Sequence, residues 1–172
     1  QEHFEKVFRQ TKNGMVILNK NFIIVRVNNY FKKMFGYEEN EIINKSIKKV
    51  VPEVKYRETE DYIKALKKGK EVNARTYRQK SNGEKINVQI QAFPIILGGE
   101  TVGYNVIYRD ISELENTKRK YQSIEGKYKA LFENEMTIMM IIDPGTGDII
   151  DVNPAAVNFY GWNKKDFTSM KI

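Results

Sequence analysis

The sequence predicts an α+β domain in which short helices cover one face of a five-stranded antiparallel sheet, followed by a long C-terminal helix. Strand and helix patterns occur in the order β-β-α-α-α-β-β-β, which excludes a doubly wound parallel sheet because helices do not alternate regularly with strands. Residues 85–93 alternate strictly between apolar and polar side chains, as a half-buried strand does. An opening segment recurs near the C-terminus, which indicates a second, incomplete copy of the same domain.

Two short strands begin the predicted domain. Residues 15–19 and 22–28 are rich in apolar and β-branched side chains, and a tight turn at Lys20-Asn21 joins them. Asn28 stands where the second strand ends, and its side chain is expected to cap the N-terminus of a short helix over residues 30–35. Gly36 is expected to end that helix in the left-handed conformation.

The remaining elements follow from periodicity and turn residues. Residues 38–43 are predicted to form another short helix, and residues 56–68 form an amphipathic helix with lysines opposite its apolar stripe. Three longer strands are then predicted over residues 72–80, 85–93 and 102–111. Hairpin turns at Ser81-Asn82-Gly83 and Gly98-Gly99 separate them.

The internal repeat sets the domain organisation. Phe8 aligns with Phe132 and, after one extra residue in the turn of the second copy, Asn28 aligns with Asn153. We therefore expect a first domain over residues 1–112, a linker helix over 113–131 and the start of a second domain over 132–172. About 40 residues bury too little apolar surface to fold alone. The second copy is therefore expected to pack on the first domain or on a partner chain, or to be partly swapped.

In this order and spacing, a set of short motifs resembles the PAS domain family. The motifs are Asn28, Gly36-Tyr37, Glu41-Ile42, Lys45-Ser46, Ser81-Asn82-Gly83-Glu84, Pro94, Gly103 and Arg109-Asp110-Ile111-Ser112. The last of these is similar to the family's Asp-Ile-Thr signature, with serine in place of threonine. The resemblance implies the PAS fold, a sheet curved around a small pocket. It also implies a sensory or dimerisation role in a histidine kinase, a diguanylate cyclase or a transcription regulator.

The resemblance places one face of the last three strands towards the pocket, and the long helix approaches that face. The candidate pocket residues are Tyr62, Ile63, Thr76, Arg78, Val88, Ile90, Tyr104, Val106 and Tyr108. Two phenols and a guanidinium could hold a small carboxylate or a similar polar ligand. In the alternative interpretation these large side chains fill the pocket, and Arg78 extends to solvent.

The composition limits the cofactors. The chain has no cysteine and one histidine, His3, which precedes the predicted domain. Haem ligated by a histidine of the long helix, a cysteinyl-flavin and a cysteine-based metal site are therefore excluded, whereas a non-covalent flavin or small ligand stays open. No catalytic constellation is present, so we expect this fragment to have no enzyme activity of its own.

The net charge of +7 is spread over many lysines interleaved with acidic residues, which is typical of a solvated surface. We therefore expect no nucleic-acid binding. The apolar runs are too short to cross a bilayer, and no signal peptide is evident, so a cytoplasmic location is predicted. The chain begins with Gln1, which suggests that it is a piece of a longer protein.

The linker has the sequence features of an output helix. Ser112 with Glu115 predicts a capping box at its start. Apolar residues then recur at spacings of three and four, which predicts a heptad seam. The seam consists of Leu114, Tyr121, Ile124, Tyr128 and Leu131, with Thr117 at the one polar position. The seam predicts a parallel homodimer, although a helix packed on its own sheet gives the same pattern. In the first case Asp110, Ile111 and Ser112 would relay the signal from the last strand to the helix.

The sequence therefore predicts a PAS sensory and dimerisation module of a multidomain signalling protein, most simply a sensor histidine kinase with its effector domain downstream. Three alternatives remain at this point: a ligand-free structural spacer, a flavin-binding redox sensor and a module of a diguanylate cyclase.

Overall fold

The structure is a computed structural model that describes the backbone of residues 2–170 and the side chains of residues 5–170. The chain divides into two compact units, over residues 1–115 and 116–172. The elements of the first unit are α1 (Glu2–Gln10), β1 (Gly14–Asn19), β2 (Ile24–Val27), α2 (Asn29–Phe35), α3 (Glu39–Ile42), 3-10 turns at Ile47–Val50 and Glu53–Lys55, α4 (Tyr56–Lys67), β3 (Val72–Gln79), β4 (Lys85–Leu97) and β5 (Glu100–Asp110). Then follow α5 (Ser112–Phe132), β6 (Met140–Ile142), β7 (Ile149–Val152), α6 (Pro154–Tyr160) and α7 (Lys164–Thr168).

The first unit contains one five-stranded sheet with the strand order β2-β1-β5-β4-β3. Every pair of neighbouring strands is antiparallel, which confirms the predicted sheet. The first and last strands, β1 and β5, meet in the middle, where Leu18 is paired with Tyr104 and Val16 with Val106. All four side chains are buried. Because side chains alternate along a strand, this pairing builds one continuous apolar face.

Helices α2 and α4 cover this face. The rings of Phe31 and Phe35 from α2 lie 5.9 and 5.2 Å from the ring of Tyr108 on β5. Leu66 of α4 is buried in the same core. Each such side chain contributes roughly 1.5–3 kcal/mol when it leaves water. The prediction of short helices on one face of the sheet is therefore confirmed.

Asn28 joins three segments of the first unit from a buried position. Its Oδ1 accepts hydrogen bonds from the N–H groups of Met15 and Phe31, both at 2.9 Å. Its Nδ2 donates to the carbonyl oxygens of Phe8 and Asn13 at 3.0 and 2.9 Å. The predicted cap is thus confirmed, and the same amide also fixes the chain before β1. Gly36 ends α2 with φ 73°, as expected.

Two strand boundaries and one helix differ from the prediction. Strand β2 begins at Ile24, because Phe22 belongs to the turn and has φ 60°. Strand β4 continues through Pro94 to Leu97 and pairs there with β5. The predicted strand ended at residue 93, where the strict alternation stops. Helix α1 was not predicted.

The second unit repeats the opening of the first. Strands β6 and β7 form an antiparallel hairpin, and Asn153 accepts the N–H of Ala156 at the start of α6. Its small core consists of Ile149, Val152, Ala156 and Phe167. How this incomplete copy is completed stays a prediction.

Candidate functional site

A small cavity lies between the sheet and α4. Its volume is about 30 Å³, enough for one or two water molecules. Of the predicted pocket residues, Tyr62, Ile63, Arg78, Ile90, Val106 and Tyr108 line it. The structure thus brings together the three strands and the helix that the sequence indicated, but the side chains fill most of the space between them.

The structure places three predicted pocket residues outside the lining. Val88 is fully buried in the core. The Thr76 hydroxyl donates to Glu58 Oε1 at 2.8 Å, so it serves a polar cluster instead. Tyr104 is covered by the ring of Phe22, whose centroid lies 4.3 Å away. The inward direction of all three was predicted correctly, but the packing above them was not visible in the sequence.

Other lining residues were missed. They are Leu18, Phe22, Ile47, Val51, Thr59, Leu66, Val72 and Ala92. Phe22, Ile47 and Val51 come from turns, which carry no periodic pattern. Thr59 and Leu66 lie on the apolar stripe of α4, and that stripe was a sufficient signal to include them.

Arg78 is the most unusual group of the site. Its position on β3 opposite the buried Ile86 directs it inwards, and the side chain is only 2% exposed. The interpretation in which it extends to solvent is therefore wrong. Its Nη1 donates to Glu58 Oε1 at 3.3 Å and to the carbonyl oxygen of Tyr77 at 3.0 Å. A buried guanidinium needs such partners, because an unpaired charge in the interior is costly.

Glu58 is the acceptor for this cluster. It accepts from Thr76 and Arg78, and Lys55 Nζ lies 2.7 Å from its Oε2. Burial acts to raise the pKa of Glu58, but the hydrogen bonds from Lys55 and Thr76 and the charges of Lys55 and Arg78 outweigh it. The pKa therefore lies below its ordinary value. The carboxylate is ionised at neutral pH and holds the buried guanidinium in place.

The two phenols of the site are shifted in the opposite direction. Burial raises the pKa of Tyr108, and the charge and hydrogen bond of Arg78 offset part of the shift. Burial also raises the pKa of Tyr62, and the Glu58 carboxylate adds to it. Both phenols are therefore neutral at physiological pH and can donate hydrogen bonds.

Two buried polar atoms of the lining residues have no hydrogen-bond partner among the described residues. They are Thr59 Oγ1 and Arg78 Nε. Buried polar groups are nearly always hydrogen-bonded. The cavity that both residues line can therefore take a small hydrogen-bonding molecule.

Two hydrogen bonds fix the backbone at the junction between β5 and α5. The Ser112 N–H donates to Asp110 Oδ1 at 2.8 Å, and the buried Ile111 donates its N–H to the Asn87 carbonyl oxygen at 3.0 Å. The helix begins at Ser112 itself. The Asp110 carboxylate therefore accepts the first N–H of the helix, in place of the predicted Ser112 and Glu115 box. Glu115 instead lies 3.9 Å from Arg75 on β3.

The predicted seam of α5 is uncovered in the single chain. Leu114, Tyr121, Ile124, Tyr128 and Leu131 are all at least half exposed. Large apolar side chains in a row on one helix are unusual on a free surface.

Family models place this architecture among known proteins. The model of a PAS domain matches residues 12–113, and a second PAS domain model matches residues 126–172. The chain belongs to the PAS domain family. The second match confirms that the repeat is a partial PAS domain.

A sporulation kinase and several solved PAS domains are similar to this chain. Sporulation kinase E of Bacillus subtilis is 25% identical over 161 residues, which are 93% of this chain and 21% of that protein. The chain thus spans about a fifth of this curated relative. A PAS domain from Colwellia psychrerythraea matches with a TM-score of 0.61 and 18% identity, over 65% of this chain and 97% of that one. A domain of a sensory box sensor histidine kinase/response regulator from Geobacter sulfurreducens matches with a TM-score of 0.56 and 16% identity, over 63% of this chain and 92% of that one.

The described residues contain neither a membrane-spanning helix nor a cluster of metal ligands. None of the described helices is long and apolar enough to cross a membrane. Across the same residues, His, Asp and Glu side chains form no group of three or more that could hold a metal ion. The side chain of His3 lies outside the described residues.

Proposed function

We propose that this PAS chain is a cytoplasmic sensory and dimerisation module that passes a signal from its pocket to α5. One observation supports the proposal above the others. Strand β5 lines the cavity with Val106 and Tyr108, and the same strand ends at Asp110, whose carboxylate accepts the first N–H of α5. A shift of β5 by a fraction of an ångström would change the direction in which the helix leaves the domain.

The output is a homodimer formed along the seam of α5, with the effector domain of the parent protein downstream. The similarity to sporulation kinase E favours a sensor histidine kinase as the parent. A diguanylate cyclase is the second candidate.

Dimerisation can be tested by cross-linking, because the chain has no cysteine of its own. Ile124→Cys on the seam should form an intermolecular disulfide readily, since equivalent seam positions meet in a parallel pair. Glu125→Cys, one residue away, is the matched control and should cross-link much more slowly. Equal rates for the two variants would exclude the parallel seam.

Relay can be tested in the full-length parent. Asp110→Ala should leave the fold intact and abolish the response of the output domain to its signal. Arg109→Ala, an exposed neighbour, should have no effect. A normal response in the Asp110 variant would contradict the relay.

The small cavity also supports a second candidate, the ligand-free structural spacer. At about 30 Å³ it is far below the roughly 300–1,000 Å³ of ordinary ligand pockets. Mass spectrometry of material released from the purified native protein distinguishes the two candidates, because a spacer releases nothing. A flavin would also need a much larger pocket, and a colourless purified sample removes that alternative.

A further inference from the structure

Phe22 has a backbone conformation that phenylalanine rarely adopts. Its φ is 60°, in the left-handed region. A residue with a Cβ is less stable there than in the ordinary conformations, and bulky residues are uncommon in it. Such strain persists only where the surrounding structure enforces it, and it is frequent at binding sites.

The second copy shows what this turn ordinarily requires. The Phe22 N–H donates to the carbonyl oxygen of Asn19 at 3.0 Å, and the Gly147 N–H donates to that of Asp143 at 2.8 Å. Gly147 has φ 72°. Phe22 therefore occupies the position that glycine holds in the second copy, where the same conformation is free of strain.

The phenylalanine ring fills the pocket region. Phe22 is 5% exposed and lines the cavity. Its ring stacks on Tyr104 with a centroid distance of 4.3 Å and an interplanar angle of 16°. Lys67 Nζ lies 5.8 Å from the centroid of the same ring. The ring of the strained residue thus packs on the ring of Tyr104. The space that the Phe22 ring fills between Tyr104 and Lys67 is called the aromatic site below.

We propose that this aromatic site is a ligand site occupied by the chain's own Phe22, and that its ligand is a small planar aromatic monoanion which displaces the ring. The inference rests on the proposed function, since it takes the cavity of the first PAS domain as the sensory pocket. Tyr104 supplies the stacking surface. Thr59 Oγ1 and Arg78 Nε, which have no hydrogen-bond partner among the described residues, belong to residues that line the same cavity.

The charge of the ligand follows from the cation beside the ring. Lys67 Nζ lies 5.8 Å from the centroid of the Phe22 ring. A carboxylate carried by a ring in the same place can pair with this ammonium group, and a monoanion balances its single charge. The size of the site indicates that the ligand contains an aromatic ring. The free cavity alone holds only one or two water molecules. Removing the Phe22 ring adds the space of a benzene ring, and apolar cavities of that kind bind aromatic molecules.

The test is a titration of wild type and Phe22→Gly with benzoate, followed by isothermal calorimetry and by the NMR signals of Tyr104. Glycine suits the φ of this position, so the variant should fold. Benzoate should bind Phe22→Gly at least tenfold more tightly than wild type. Toluene should bind the variant more weakly than benzoate does, and acetate should not bind measurably. Equal benzoate affinity in the two proteins would overturn the proposal, and toluene binding as tight as benzoate would overturn its anionic part.

Phe22→Ala provides the second measurement. It opens the same space but keeps the strained φ, so it should bind benzoate like Phe22→Gly and unfold at lower urea concentration. If neither variant folds, a benzoate titration that leaves the Tyr104 signals of wild type unchanged overturns the proposal. The Ile124→Cys cross-link in the Phe22→Gly background reports dimerisation separately. If Phe22→Gly does not bind benzoate but Ile124→Cys cross-links normally in the same background, this inference is refuted while the proposed dimer stands.

Discussion

Asn28→Ala tests whether one buried amide holds the first PAS domain together. The substitution removes four hydrogen bonds, two to the N–H groups of Met15 and Phe31 and two from Nδ2 to the carbonyl oxygens of Phe8 and Asn13. Alanine can replace none of them. Because Asn28 is only 2% exposed, water cannot easily replace them either.

The expected loss can be estimated bond by bond. The loss of a helix N-cap costs about 1 kcal/mol. Each of the three other groups, left buried without its partner, costs about 1 kcal/mol or more. The sum is about 4 kcal/mol, a large part of the roughly 5–15 kcal/mol that stabilises a domain. With a urea dependence of about 2 kcal/mol per molar, the unfolding midpoint should fall by about 2 M.

The assay is urea unfolding of the whole chain, followed by far-UV circular dichroism. Asn29→Ala is the matched control, because Asn29 is the exposed first residue of α2 and should change stability by less than about 0.5 kcal/mol. The equivalent Asn153→Ala change should shift the transition seen by the fluorescence of Trp162, the only tryptophan. The reasoning is refuted if the unfolding midpoint of Asn28→Ala lies within about 0.5 M of the wild-type midpoint, which corresponds to a loss of no more than about 1 kcal/mol.

Two further predictions concern the sheet and the polar cluster. A Cβ at Gly103 would overlap the carbonyl oxygen of Leu18 on β1, so Gly103→Ala should destabilise the first domain by about 2 kcal/mol or more in the same urea assay, and an unchanged midpoint would contradict the strand pairing. Glu58→Gln should cost about 2 kcal/mol at neutral pH, discounted because Glu58 is a quarter exposed. Since the folded-state pKa of Glu58 lies below the ordinary 4.5, its stabilisation is present above that pH and is lost as the pH falls through the folded-state pKa. The difference between wild type and Glu58→Gln should therefore shrink in acid, and a difference that does not change with pH would exclude the ion pair as its source.

Periodicity predicted the directions of the strand side chains well. Arg78, Val106 and Tyr108 were placed on the inner face from alternation and the family resemblance, and the structure has them there. The volume left between these side chains could not be predicted in this way. It depends on how residues from turns and helices pack above the strands, and a pattern of two or 3.6 residues does not contain that information.

Phe22 shows a different limit of sequence reasoning. An aromatic residue before two isoleucines resembles the start of a strand, and it was assigned to one. The turn imposes a positive φ on Phe22, and this outweighs the β-strand propensity of phenylalanine. The alignment of Phe22 with Gly147 could have revealed the conflict, because a glycine at an equivalent turn position indicates a positive φ.

The same conflict gives the pocket a defined energetic bias. A ligand shifts a conformational equilibrium only by the difference between its affinities for the two states. A Phe22 ring that was both well packed and unstrained would oppose displacement with its full burial energy. The left-handed φ removes about 1–2 kcal/mol of that opposition once the turn relaxes, which corresponds to a factor of roughly 5–30 in ligand affinity. Phe22→Gly loses the internal occupant, so the variant should bind ligand more tightly yet show a smaller ligand-dependent change at Asp110 and α5 than wild type. The second copy, with Gly147 in the equivalent turn, has neither the strain nor the internal ring, so any sensing by a completed second domain would need another mechanism.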